Sequence, residues 1–181
     1  QSHLVRIEGS PNNLYQFTVT VTDNDNNPDQ SDSQKKALEY MDFQIGQQLI
    51  GTPIDRVFIG SCANGRLSNL EKVAEIVKGK RVAEGVVAWV VPGSQAVKSA
   101  VEKLGLDLVF VDAGLMWGEP GCSLCAGSSG EQVGPGKRCV STTNRNFVGR
   151  QGPMARTHLA SPSTAAWSAV NGVISNHQPI S

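Results

Sequence analysis

The residues best suited to chemistry lie at positions 119–125, reading E-P-G-C-S-L-C. Cys122 and Cys125 are separated by two residues, and the turn between such thiols lets both reach one soft metal centre. The glycine, proline and serine around them leave little side chain to pack against, so core filling is a poor account of this pair. The spacing alone fits half of a zinc site, a dithiol redox pair or part of an iron–sulfur site. Two further thiols, Cys62 and Cys139, stand apart in sequence. A second chemical stretch, residues 143–152, carries Asn144, Arg145 and Arg150 among glycine and asparagine. Two guanidinium groups on one loop suit bidentate binding of carboxylates, although solvated arginines are the commoner case.

Positioning these groups falls to an alternation of apolar strands and amphipathic helices. Val57-Phe58-Ile59 is a short, uninterrupted apolar run, as a buried parallel strand requires, and it ends at Ser61-Cys62-Ala63-Asn64. Leu70, Val73, Ala74 and Val77 recur at helical spacing and predict a helix over 68–78. Residues 86–91 read as a second strand, ended by Pro92-Gly93-Ser94, and 95–104 as a second helix. Residues 108–111 read as a third strand feeding the thiol loop, and Cys139-Val140-Ser141-Thr142 as a further short one. A helix of small residues is predicted over 163–173, then a frayed tail. Upstream, 33–43 reads as a helix capped by Ser33, and 14–21 as a half-buried strand followed by a polar run, 23–28. Residues 1–34 thus form a strand-and-linker extension, and 35–181 one domain.

The fold class this predicts is α/β, a three-layer α/β/α arrangement around a mostly parallel sheet. Right-handed crossovers put the carboxyl ends of parallel strands along one edge, where ligand sites of open α/β sheets lie. Cys62, Cys122 and Cys125 are therefore expected at one rim. Three thiols fall one short of a closed site, and an open position is what a Lewis-acid catalyst needs. Cys139, inside a strand, reads as a buried apolar residue, with a four-thiol zinc module as the minor alternative. His158 reads as a packed or capping histidine, and Trp89, Trp117 and Trp167 as packing aromatics.

The 181 residues suffice for a core without disulfides. Sixteen Lys plus Arg balance sixteen Asp plus Glu, so no electrostatic footprint for nucleic acid or an anionic membrane is present. No run approaches membrane-spanning length. Four unevenly placed cysteines do not make a secreted disulfide framework, which points to a reducing compartment: the cytoplasm, a mitochondrion or another organelle. Gln1 in place of an initiating Met is expected of a processed, trimmed or partial chain.

Together these loops resemble the aconitase superfamily. The matching pieces are Val57 through Asn64 (V-F-I-G-S-C-A-N), Val91-Pro92-Gly93-Ser94, the E-P-G-C-S-L-C loop, Ser141 through Gly152 (S-T-T-N-R-N-F-V-G-R-Q-G), and Arg156 through Pro162 (R-T-H-L-A-S-P). G-C-S-L-C resembles the 3-isopropylmalate dehydratase large-subunit and homoaconitate branches more than aconitase itself. The likeness covers roughly residues 35–173 and only the cluster-bearing third domain of that family. It implies an aconitase-like domain and an iron–sulfur hydro-lyase that isomerises a hydroxy dicarboxylic acid by dehydration and rehydration, as 3-isopropylmalate to 2-isopropylmalate in leucine biosynthesis. It also implies Cys62, Cys122 and Cys125 as ligands of a 4Fe-4S cluster, and Asn144, Arg145 and Arg150 around cluster and substrate carboxylates. The implied partners are the remaining large-subunit domains and a small, swivelling subunit that supplies the catalytic serine base. The chain departs from the pattern at Ala63, at residues 126–131 and upstream of residue 34. The alternative reading is an isolated or degenerate domain acting as a non-catalytic binding or structural module, or a homoaconitase- or aconitase-type fragment. On either reading this chain alone is expected to be inactive.

Overall fold

The computed structural model describes residues 7–8, 18–19, 28–121, 123–125 and 132–176, with side chains from Lys35 onward, Ala63 aside. The chain divides into two compact units, Gln1–Thr52 and Pro53–Ser181. In the first, β1 (Ile7–Glu8) pairs antiparallel with β2 (Thr18–Val19), and α1 (Pro28–Met41) follows. Ser33, expected as a cap, lies inside α1, which opens at Pro28. Proline suits a first helical position because its missing N–H has no partner to lose there. Leu38, Phe43 and Leu49 are buried in this unit. The strand expected over 14–21 is described only at Thr18–Val19; its other residues lie outside the described part.

The second unit carries β3 (Arg56–Gly60), α2 (Ser61–Asn64), α3 (Leu67–Val77), β4 (Val87–Val91), α4 (Gln95–Lys103), α5 (Leu106–Asp112), β5 (Met116–Trp117), β6 (Arg138–Ser141), β7 (Arg156–Leu159) and α6 (Pro162–Asn171). Five strands form one sheet in the order β5-β4-β3-β6-β7, with every neighbouring pair parallel. Val57, Phe58 and Ile59 are fully buried, each contributing about 1.5–3 kcal/mol relative to exposure. Successive residues of a strand point to opposite faces. Val57, Ile59, Ala88 and Val90 therefore face one way, and Phe58, Trp89 and Val91 the other. Helix α6 lies against β3 and α3 against α6, with α5 and α4 extending that layer. Small buried residues on α6 (Ala165, Ala166, Ser168 and Ala169) allow the close approach. The opposite face packs Phe58, Val91 and Cys139 against Leu124, Cys125, Val133 and Ala155, with Trp89 at the margin.

One expected strand is a helix. Residues 108–111 lie in α5, and the third strand before the thiol loop is β5. A short apolar run cannot distinguish a buried strand from one turn of helix. Here Phe110 is buried while Leu108 and Val111 face outward, 69% and 58% exposed, which is helical rather than buried-strand patterning. Gly105, at φ 66°, separates α4 from α5, and β5 pairs Met116 with Trp89 and Trp117 with Val90.

Candidate functional site

The carboxyl end of β3 is built by close backbone contact. A Cβ on Gly60 would stand 1.8 Å from the Val91 carbonyl oxygen, and one on Gly65 would stand 2.4 Å from Gly93 N. Only glycines let the 60–65 turn lie on the 91–93 turn, where Gly93 N donates to Gly65 O at 2.9 Å. Ser61, buried and not a glycine, holds φ at 81°. Such a conformation costs about 1–3 kcal/mol and persists only where the surroundings impose it. Cys62 follows at once, exposed on the single turn of α2. Thr142, at the end of β6, ties this turn down. Its Oγ1 accepts from Gly60 N at 2.8 Å and lies 3.2 Å from Gly60 O, while Asn64 Nδ2 donates to the Thr142 carbonyl.

The thiol loop leaves β5 under similar control. Gly118 N donates to Val90 O at 2.9 Å, and the Trp117 ring rests 5.7 Å from that of Phe110. Ser123–Cys125 forms one 3-10 turn, with Ser123 at φ 38°. Leu124 and Cys125 are buried against the sheet. Cys122 lies outside the described residues, as do residues 126–131.

The arginine loop follows β6. Asn144 and Arg145 are exposed, and Thr143 Oγ1 donates to the Arg145 carbonyl at 3.3 Å. Asn146 Nδ2 donates to Thr157 O at 3.0 Å. Gln151 is fully buried beneath the loop: its Nε2 donates to Ser141 Oγ at 3.2 Å, and its Oε1 accepts from Thr157 Oγ1 at 2.8 Å. Arg150 lies over the Phe147 ring at 5.2 Å and donates from Nη2 to Cys125 Sγ at 3.5 Å. Its Nε is buried with no hydrogen-bond partner among the described residues. The structure thus brings Arg150 to Cys125, and leaves Asn144 and Arg145 outward on the same loop.

Cys139 sits elsewhere. It pairs with Arg56, the first residue of β3, whereas Cys62 follows the last. Four residues of strand separate those ends by about 13 Å. Burial pushes the Cys139 thiol up to about 12, only partly countered by the Arg56 charge, so it stays protonated. His158 is buried in β7 with Nε2 3.0 Å from Arg138 Nη1. Burial, then the Arg138 charge, lowers it to about 3, so it is a neutral packed histidine. Among the described residues no three His, Cys, Asp or Glu side chains form a metal-holding group.

Sequence reasoning passed over the roles of Thr142, which ties the Cys62 turn, and of Gln151 and Thr157, which support the arginine loop. The available signal was polarity beside a buried apolar strand, since a polar group there must find a partner. It also passed over Lys98, whose Nζ donates to Glu119 Oε1.

A sequence model described as the aconitase family (aconitate hydratase) matches residues 3–172. The 3-isopropylmalate dehydratase large subunit 1 of Bradyrhizobium diazoefficiens is 58% identical over 140 residues, covering 77% of this chain and 29% of that protein. The corresponding large subunit of Roseiflexus castenholzii is 54% identical over 151 residues, covering 82% and 32%. The chain therefore spans about 30% of the length of these curated relatives. Among solved structures, Thermococcus kodakaraensis aconitase X in its holo form aligns with a TM-score of 0.40 at 19% identity, over 50% of this chain and 22% of that one.

Proposed function

The chain belongs to the aconitase family, and from that membership we propose that it is the cluster-bearing part of a 3-isopropylmalate dehydratase. The observation that carries this reading beyond the family is the meeting of the arginine loop and the thiol loop, where Arg150 Nη2 donates to Cys125 Sγ. Cys62 follows the adjacent strand β3 and is exposed. Thiols, a guanidinium beside one of them and an orphaned buried Arg150 Nε are the donor set that a thiolate-held cluster and an anionic substrate both require. Soft thiolates are the chemistry of a 4Fe-4S cluster, and Cys62, Cys122 and Cys125 would be its ligands. When bound, such a cluster supplies a Lewis-acidic iron for the departing hydroxyl.

This chain's own side chains would bind and orient the substrate. Arg145 and Arg150 take its carboxylates, and Asn144 offers a neutral donor between loop and substrate. The Phe147 ring beneath Arg150 limits how far that guanidinium can swing, which preorganises its free Nε. The burial of Gln151 with its partners Ser141 and Thr157 keeps the loop from relaxing when an anion arrives. A base that takes the proton from carbon, and the groups completing the pocket, would come from the other large-subunit domains and a small partner subunit. The substrate is a small hydroxy dicarboxylate, and the compartment a reducing one.

Anaerobic reconstitution with ferrous iron and sulfide tests this. Iron, acid-labile sulfide and visible absorbance are measured on the wild-type chain and on serine variants. Cys62→Ser, Cys122→Ser and Cys125→Ser should each abolish the absorbance, while Cys139→Ser should retain it. Equal loss in Cys139→Ser would overturn the ligand assignment in favour of a four-thiol site.

A further inference from the structure

The segment entering the thiol loop is fastened to helix α4 as well as to the sheet, and Lys98 is the centre of that attachment. Its ammonium donates to Glu119 Oε1 and lies 3.7 Å from Glu102 Oε1. Glu102 in turn accepts from Trp117 Nε1 at 3.3 Å. Two residues of the short segment Trp117-Gly118-Glu119 thus hang from one lysine network, and the residue between them is held by Val90 O at 2.9 Å. Glu119 stands three residues before Cys122 and six before Cys125. The Lys98 side chain is only 16% exposed although its partner Glu119 is 77% exposed, so the lysine is the fixed end of the pair and the loop the tethered end.

We propose that Lys98 is a positioning residue for the thiol loop. Through Glu119 and Glu102 it holds the entry of the loop in the conformation that leads to Cys125, the described thiol of the E-P-G-C-S-L-C stretch. The inference rests on the cluster reading for its consequence, but the tether itself is a property of the chain without metal. One partly exposed ion pair has a small effect on global folding. It matters here because loops open locally at low cost, so a modest tether sets the fraction of time the loop is formed.

The test has two arms. In the first, hydrogen exchange by mass spectrometry is followed in the metal-free chain across residues 117–125. Lys98→Met and Glu119→Gln should each speed exchange there about threefold to fivefold, with the urea midpoint barely moved. The double variant should be no faster than Lys98→Met alone, because the lysine change already removes the link to Glu119. Lys98→Arg should restore the slow rate, while Lys137→Met, which breaks a surface pair with Asp55, should leave it unchanged. In the second arm, cluster absorbance per chain after reconstitution should fall in Lys98→Met and recover in Lys98→Arg. Unchanged exchange in Lys98→Met overturns the proposal, as does full cluster uptake by a chain whose loop has been loosened. A wild-type chain that takes up no cluster overturns the cluster reading instead, and the exchange arm still decides the tether.

Discussion

Gly60 is the residue on which the site's backbone turns. It combines φ of 110° with a Cβ position 1.8 Å from the Val91 carbonyl oxygen, and that atom is backbone with no rotamer to yield. Gly60→Ala should therefore cost roughly 3 kcal/mol or more, adding backbone strain to overpacking. Urea denaturation checks it, and a midpoint equal to wild type would mean the two turns are not packed as described. His158 makes a different kind of prediction. Its folded pKa is lowered to about 3 by burial and the Arg138 charge, against 6.5 for the ordinary side chain. The unfolded chain then binds a proton that the folded one refuses. Stability is fully present above pH 6.5 and falls as pH drops towards 3, at about 1.4 kcal/mol per pH unit from this residue alone. His158→Gln keeps an acceptor for Arg138 but does not titrate. The difference in urea midpoint between the two proteins should change between pH 7 and pH 4.5, and a constant difference would refute the assignment.

At the scale of elements, α6 shows how local signals and packing agree. Ser161 Oγ accepts from Thr164 N at 3.1 Å, Pro162 opens the helix, and Gly172 at φ 72° closes it. Ser161→Ala should cost about 1 kcal/mol, read as a lower thermal midpoint, because one orphan N–H loses its acceptor. Ser161→Asn should recover most of that loss. Helix α5 is the contrary case, since its sequence suits a strand as well as a helix. What decides it is Phe110, the one residue of α5 that is buried, together with the use of the neighbouring sheet edge by β5. The thiol loop consequently begins directly after a strand, with Trp117 five residues from Cys122.

At the scale of the molecule, the chain spans about 30% of the length of its relatives. The purified 181-residue chain should show no conversion of isopropylmalate even when reconstituted. Removing a proton from carbon needs a positioned base, and among the described residues no three His, Cys, Asp or Glu side chains gather into one group that would place a base beside a metal centre. His158 is committed to Arg138. Turnover by the isolated chain, followed as absorbance of the unsaturated product, would show that the base lies within these residues.

The strands β3, β4 and β6, the helices α3, α4 and α6, and the apolar character of Cys139 were all legible in the amino-acid sequence. Each rests on a local cause: a short apolar run ended by turn residues, an apolar stripe at helical spacing, or a run of small residues. The family membership was legible too, because the motifs that carry it depend on residue type and spacing. Tertiary structure alone decided the conformation of 108–111, since its apolar run satisfies either period until neighbours choose. It alone showed that Thr142 locks the Cys62 turn, that Gln151 supports the arginine loop, and that Arg150 reaches Cys125. These are contacts between residues up to 82 positions apart, and no local preference encodes them. They follow only once parallel pairing has brought the strand ends to one edge of the sheet.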